Sequence, residues 1–340
     1  MTINTPSLVV RDGATVTTFP FIGEGGNLTI NAEEISLQGK ASISTGTLGQ
    51  NAGDLNIISD FLTLIDGANV GTATFAVGNA GNFNLTVNKL SIGANSSIGT
   101  NTFGAGNGGT LSIESDSIGI TGTATDSLTS NGINATSLGI GNAGNIEINS
   151  NTLSISQGGE IATATIYGGS GGNIDIDTGT LELNNGRINA STVTASPGGN
   201  ITIRATDFVD VKGAGFDTLL ENIVNPSFTG EIGFENFTQG IYTISAGEGN
   251  AGNVSNAATN FSMSNGGLIS TTTLGAGTGG NIAIDASNAI DLENSLLARV
   301  TFTDSASGDL NLYVRQLNAT GGAQAITSTF CTGKAGNLTV

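Results

Sequence analysis

Gly141-Asn-Ala-Gly-Asn-Ile-Glu-Ile148, GNAGNIEI, decides how this chain is to be read. The same GNAGN recurs at 78–82 before FNL and at 249–253 before VSN. A glycine-rich loop that feeds an alternating apolar segment is either a phosphate cradle or a corner turned many times. The spacing separates the two. The glycine before each such segment is Gly26, Gly53, Gly81, Gly109, Gly144, Gly172, Gly199, Gly252, Gly280, Gly308 and Gly336. The intervals are 27, 28, 28, 35, 28, 27, 53, 28, 28 and 28 residues, and a fixed period of that size is the signature of a solenoid. A cradle also lacks its chemistry: TGKAGN (332–337) has no Ser or Thr after its Lys, and no helix follows to lend an N-terminus.

Behind each glycine the columns repeat. Two residues on stand Leu28, Leu55, Phe83, Leu111, Ile146, Ile174, Ile201, Val254, Ile282, Leu310 and Leu338. Two further on stand Ile30, Ile57, Leu85, Ile113, Ile148, Ile176, Ile203, Ile284, Leu312 and Val340, broken at Asn256. This alternation is that of a strand with one buried face. A second segment follows, as in Leu153/Ile155 and Leu181/Leu183. After a turn such as QGG (157–159) or NGG (265–267) comes a third, IATATI (161–166) or ISTTTL (269–274). Three short strands per 28 residues predict an all-β parallel β-helix of about eleven coils, stacked about 4.8 Å apart. The preference of parallel crossovers makes it right-handed. Residues 1–340 then form one repeat array, interrupted by insertions at 121–132 and 216–240.

Composition agrees. Gly supplies 53 of 340 residues and charged residues only 11%, which fits neither a disordered chain nor a pair of ordinary globular domains. The net charge of −18 makes nucleic acid and anionic lipid poor partners. Cys331 is alone, so there is no intrachain disulfide framework. MTINTPSLVV has neither a basic start nor a long apolar core, and is not read as a signal peptide.

The residue after the marking glycine is Asn at Asn27, Asn82, Asn145, Asn173, Asn200, Asn253, Asn281 and Asn337. Stacked amides at a repeated corner are expected to form a structural ladder, satisfying polar groups that would otherwise be buried bare. The glycine ahead of them supplies either positive φ or close backbone approach. GGSGGNIDI (168–176) has the outline of a calcium nonapeptide, but Asn173 stands where the carboxylate belongs. No metal or cofactor is expected. Thr72/Thr74, Thr100/Thr102, Thr163/Thr165 and Thr271/Thr273 share parity with apolar residues and are expected to face inward, with their hydroxyls bonded along the ladder. Facing outward, they would form an ice-binding plane.

The chain has no His, and so lacks the commonest catalytic base. The best acidic cluster places Glu147 beside Asp175 in one outward column, with Glu114, Asp177 and Arg204 in the next. It is either a carbohydrate-cleaving carboxylate set or a solvated face with an Asp177–Arg204 cross-strand pair. The long insertion gathers Phe216, Asp217, Glu221, Phe228, Glu231, Phe234, Glu235 and Phe237, which form either a ligand-binding loop or a flap packed on the rod. Both insertions precede third strands and leave the rod on one edge.

Units such as GNAGNIEINSNTLSISQGGEIATATIYGGSGGN (141–173) resemble the repeats of very large secreted cyanobacterial proteins of the filamentous haemagglutinin type. The resemblance covers nearly the whole chain. It implies a right-handed β-helix exported by two-partner secretion and displayed extracellularly or at the outer-membrane surface. Adhesion to surface glycans or proteins is the implied role, and the full-length parent would use an outer-membrane secretion partner. Met1 to Ile3 share the columns of Leu28–Ile30, and GNLTV ends the chain in mid-coil, so a fragment of a longer array with end-to-end self-association is expected. The expectation is a non-enzymatic rod that presents lateral loops.

Overall fold

The computed structural model describes residues 1–93, 95–123, 132–229 and 232–340. Consecutive strands alternate between two sheets, and each pairs in parallel with the strand one coil later. One sheet, A, has twelve strands and the other, B, has eleven. The extra strand of sheet A is Leu338–Thr339, which follows the last sheet B strand, and Thr2–Arg11, ahead of the first marking glycine, already pairs in register with Leu28–Gln38. The fold is a parallel β-solenoid, as the period requires.

The expectation of three strands per coil needs correction. The first and second segments run on as one hydrogen-bonded strand, for example Ile146–Ser156. Within it Ile146, Ile148 and Ser150 are buried, Asn151 and Thr152 are both exposed, and Leu153 and Ile155 are buried again. Two adjacent exposed residues shift the alternation by one and make a corner in mid-strand. A small or hydroxylated residue lines its inside. Ser150 and Thr178 meet across coils at 3.0 Å, and the Thr178 hydroxyl donates to the Thr180 carbonyl at 3.1 Å. The coil therefore has three faces but two hydrogen-bonded ladders.

The third segment, Glu160–Thr165 in the same coil, belongs to sheet B. The turn before it passes through Gln157 at φ 53° and Gly158 at φ 82°, the left-handed region that Gly adopts without strain. Ile161 then joins Ile146, Ile148, Leu153 and Ile155 in a single core that runs along the chain. Burying each such side chain contributes about 1.5–3 kcal/mol, and a coil gains it in full only with neighbours above and below.

Apart from Gly26, the marking glycines act through close approach, and none of them has positive φ. A Cβ built on Gly172 would lie 1.8 Å from the Gly144 carbonyl oxygen of the previous coil. Gly199 meets Gly172 in the same way at 1.7 Å. The inward threonines attend to these glycines. Thr163 donates to the Gly172 carbonyl at 2.6 Å, Thr72 to Gly81 at 2.6 Å and Thr271 to Gly280 at 3.0 Å. The Thr-x-Thr files face inward, with Thr163, Thr165, Thr271 and Thr273 at most 1% exposed. Their first hydroxyls bond across the coil to the corner carbonyl, not along the file as expected, and they offer no outward ice-binding plane.

Both insertions leave between the end of a sheet A strand and the start of the next sheet B strand, as expected. Most of the smaller one, residues 124–131, lies outside the described residues. The longer one is helical: Phe216–Leu219, Leu220–Val224 and Asn225–Thr229 follow one another as α, π and α turns. No helix among the described residues is long and apolar enough to cross a membrane.

Candidate functional site

Along sheet B, the outward positions change character with position in the rod. In Ser97–Thr102, Gly132–Ser137, Glu160–Thr165 and Arg187–Thr192 they hold small or polar residues, including Asn101, Asn134, Ala162, Ala164, Asn189 and Ser191. From Gly240–Ser245 onward they include Tyr242, Ile244, Leu268, Leu296 and Ala298, beside Ser270 and Thr272. An apolar outward face must be covered, and the insertion covers it. Leu219, Ile223 and Phe237 bury themselves on Tyr242, Ile244, Leu268, Leu296 and Ala298 as a second core. Gln239 closes the base of the insertion, accepting from the Ala214 amide and donating to the Gly266 carbonyl at 3.3 Å. The helix has a mark in the sequence: Phe216, Leu219, Leu220, Ile223 and Val224 recur at helical spacing.

Where the insertion ends and the small-residue floor begins, a cavity of about 380 Å³ opens. Its walls include Ala164, Ile166, Val193, Phe237 and Tyr242, with Asn189 and Ser191 on the floor and Glu235 and Thr238 from the insertion. At its base Arg187 meets Glu160 at 2.9 Å, with side chains 11% and 4% exposed. Asn189 donates to the other Glu160 oxygen at 2.9 Å. Tyr242 donates to the Phe237 carbonyl at 2.7 Å, and burial pushes its phenol pKa upward. Phe237 lies against its ring, with centroids 5.3 Å apart. Glu160 and Arg187 occupy one column in adjacent coils, so the sequence held this pair too, outside the columns used to count coils.

Of the residues proposed for a ligand-binding loop, Glu235 and Phe237 line this cavity. Phe216 packs against the second core, and Asp217 and Glu221 are exposed on the helix. Glu231 lies outside the described residues, as do the side chains of Phe228 and Phe234. The insertion packs as a flap, and its trailing end roofs a cavity.

No protein-family model, curated protein or solved structure matches the chain. The reading of its surface therefore rests on its own geometry.

The acidic cluster is where the columns put it. Glu147 pairs in register with Asp175, and Asn149 lies between Glu114 and Asp177 in the next outward column. These side chains border a shallow groove on sheet A together with Arg204. Arg204 donates to both Asp177 oxygens at 3.1 and 3.3 Å, with the two side chains 55% and 56% exposed. A pair so exposed contributes about 0–1 kcal/mol and draws neither the carboxylate nor the guanidinium out of water.

The asparagine ladder is present but differs in form. Its members are mostly exposed, so it does not rescue buried amides. Each Oδ1 accepts the backbone N–H of the equivalent residue one coil on: Asn27 from Asp54 at 2.9 Å, Asn82 from Thr110 at 2.9 Å and Asn145 from Asn173 at 2.9 Å. Asn173 accepts from Asn200 at 2.9 Å, Asn200 from Asn253 at 2.9 Å, Asn253 from Asn281 at 2.7 Å and Asn281 from Asp309 at 2.8 Å. Asn337 donates its own amide to Asp309 at 2.8 Å. A second file does the same work three residues upstream. Asn51 accepts from Asn79, Asn79 from Asn107 and Asn107 from Asn142, each at 2.9 Å. Both asparagines of GNAGN are thus ladder residues, although only the second follows the marking glycine.

Proposed function

We propose that the chain is a structural and adhesive segment of an exported surface protein of the filamentous haemagglutinin type, a rod that holds a lateral binding element. The observation that carries this reading is the long insertion, which folds over the outer face of sheet B and roofs a cavity of about 380 Å³ while the strands on either side stay paired. Pockets of that size, mainly apolar with a few fixed polar groups, are where proteins hold small ligands or parts of larger ones. A surface glycan or protein is the partner such an element serves, and the extracellular or outer-membrane surface is its place. The secretion partner belongs to the full-length parent. The solvated setting of Glu147 and Asp177 favours binding over cleavage.

The test is retention of the chain on beads that carry immobilised cell-surface polysaccharide or protein, with reducing ends assayed in the supernatant. Retention without sugar release is expected. Sugar release that disappears in a Glu147→Gln, Asp175→Asn, Asp177→Asn variant overturns the reading in favour of an enzyme.

A further inference from the structure

Beside the cavity, the first residue after each sheet B strand forms a file on the surface. Leu48, Phe75, Phe103 and Val193 stand there 44, 46, 43 and 40% exposed, and the half-buried Leu138 and Ile166 fill the coils between. The file is held in register by backbone bonds, such as Phe103 N–H to the Thr74 carbonyl at 2.8 Å and Leu138 N–H to Thr102 at 2.8 Å. Phe75 and Phe103 stack at 4.7 Å with their planes 4° apart. Further out on the same loops, Val77, Ile140 and Tyr167 are 77, 68 and 76% exposed.

The loops that carry this strip, 46–53, 75–81, 103–109, 138–144, 166–172 and 193–199, contain no Asp, Glu, Lys or Arg. Of the five equivalent loops elsewhere, four do: 20–26 holds Glu24, 246–252 Glu248, 302–308 Asp304 and 330–336 Lys334, and only 274–280, separated from the strip by the Glu248 loop, does not. A chain with a net charge of −18 thus leaves one neutral, apolar strip six coils long, about 24 Å at the strand spacing. At roughly 100 Å² for each half-exposed large side chain, the strip offers on the order of 700–800 Å². That exceeds the apolar patch of an ordinary monomer, about 300–600 Å². It matches the roughly 800 Å² per partner of a stable interface.

We propose that this strip pairs two copies of the chain side by side. Its groups recur with the strand spacing, so a second stack of the same period meets them in step along the whole length. A two-fold axis across the strip makes the surface its own complement. No basic residue flanks the strip's loops to draw a lipid headgroup or an acidic partner. The like charges of the two rods are carried outside the strip, where salt screens them beyond about 10 Å at 0.1 M.

Small-angle scattering and sedimentation of the intact chain over a concentration series test this. Dimers whose cross-sectional area doubles while their length stays that of one rod are expected, and pairing should tighten as salt is raised. Val77→Asp with Ile140→Asp, both at exposed positions, should weaken pairing at least tenfold, with an unchanged melting temperature at dilutions where both chains are monomeric. Ile58→Asp, on sheet A and 56% exposed, should leave pairing intact. Four results each overturn the proposal: a monomer at high concentration, dimers of doubled length, pairing indifferent to the double variant, or dissociation on adding salt. A monomer that floats with neutral phosphatidylcholine vesicles assigns the strip to lipid and overturns it as well.

Discussion

The coil that begins at Gly144 and the coil that begins at Gly199 differ by almost a factor of two in length, 28 against 53 residues. Their columns are nearly the same. Ile146 and Ile148 in the first have Ile201 and Ile203 in the second, Leu153 and Ile155 have Val209 and Val211, and Ile161 has Ile241. The added residues touch none of these columns. They change what lies outside: Ala162 and Ala164 in the first coil give way to Tyr242 and Ile244 in the second, beneath the insertion's helix. Positions that repeat hold the rod together, and positions that vary determine what the rod meets.

The strongest way to break that division is to disturb a repeated backbone contact. Gly172→Val places side-chain atoms against a carbonyl already 1.8 Å from the ideal Cβ. A loss above about 4 kcal/mol is expected, seen as failure to fold or a collapse of the thermal transition. The buried pair comes next. Glu160→Ala leaves Arg187 in the cavity wall without its carboxylate, and about 3–5 kcal/mol should be lost in denaturant unfolding.

Two core positions break the rule without evident compensation. Asn256 sits between Ile203 and Ile284, 1% exposed, with neither amide atom partnered. Asn256→Ile should raise stability by about 1–3 kcal/mol. Arg299 replaces threonine in the inward file between Thr271 and Thr327 and is 0% exposed. It donates to the Gly280 carbonyl, while its Nε and Nη1 lack partners. Burial lowers its pKa to about 10, with Asp309 opposing the shift. The unfolded chain then holds the proton more tightly, so this group destabilises the fold at neutral pH and the penalty is relieved as pH rises through about 10. Arg299→Thr should melt higher at pH 7, and that advantage should shrink above pH 10.

The smaller effects sharpen the same contrast. Asn145→Ala removes one acceptor from an exposed amide ladder, and a loss of about 0.5–1.5 kcal/mol is expected. Asp177→Asn, at a solvated pair, should change the melting midpoint by less than the equivalent of about 1 kcal/mol.

The repeated part was legible in the sequence because a stack gives each position many neighbours of the same kind. One column of glycines and two of Ile or Leu were enough to place sheet A. The mid-strand corner was less visible, since its mark is a pair of exposed residues and a hydroxyl such as Ser150, which strand alternation does not anticipate. The first asparagine of GNAGN was overlooked because its file, Asn51–Asn79–Asn107–Asn142, precedes the apolar segment used for counting. The cavity escaped because Glu160 and Arg187 share a sheet B column that was not used to count coils, and Phe237 comes from the insertion, which no repeated column links to them. What varies from coil to coil leaves no statistical trace in a single sequence.

Excising the insertion tests the division most directly. In that variant residues 216–238 are replaced by a short Gly-Ser link, and Tyr242, Ile244, Leu268 and Leu296 are changed to Ser to match the small outward residues of the preceding coils. Thermal unfolding and retention on polysaccharide- or protein-coated beads are then measured together. A rod that melts within a few degrees of the intact chain and is no longer retained is the expected result. A variant that unfolds along its length, or one retained as well as the intact chain, contradicts it.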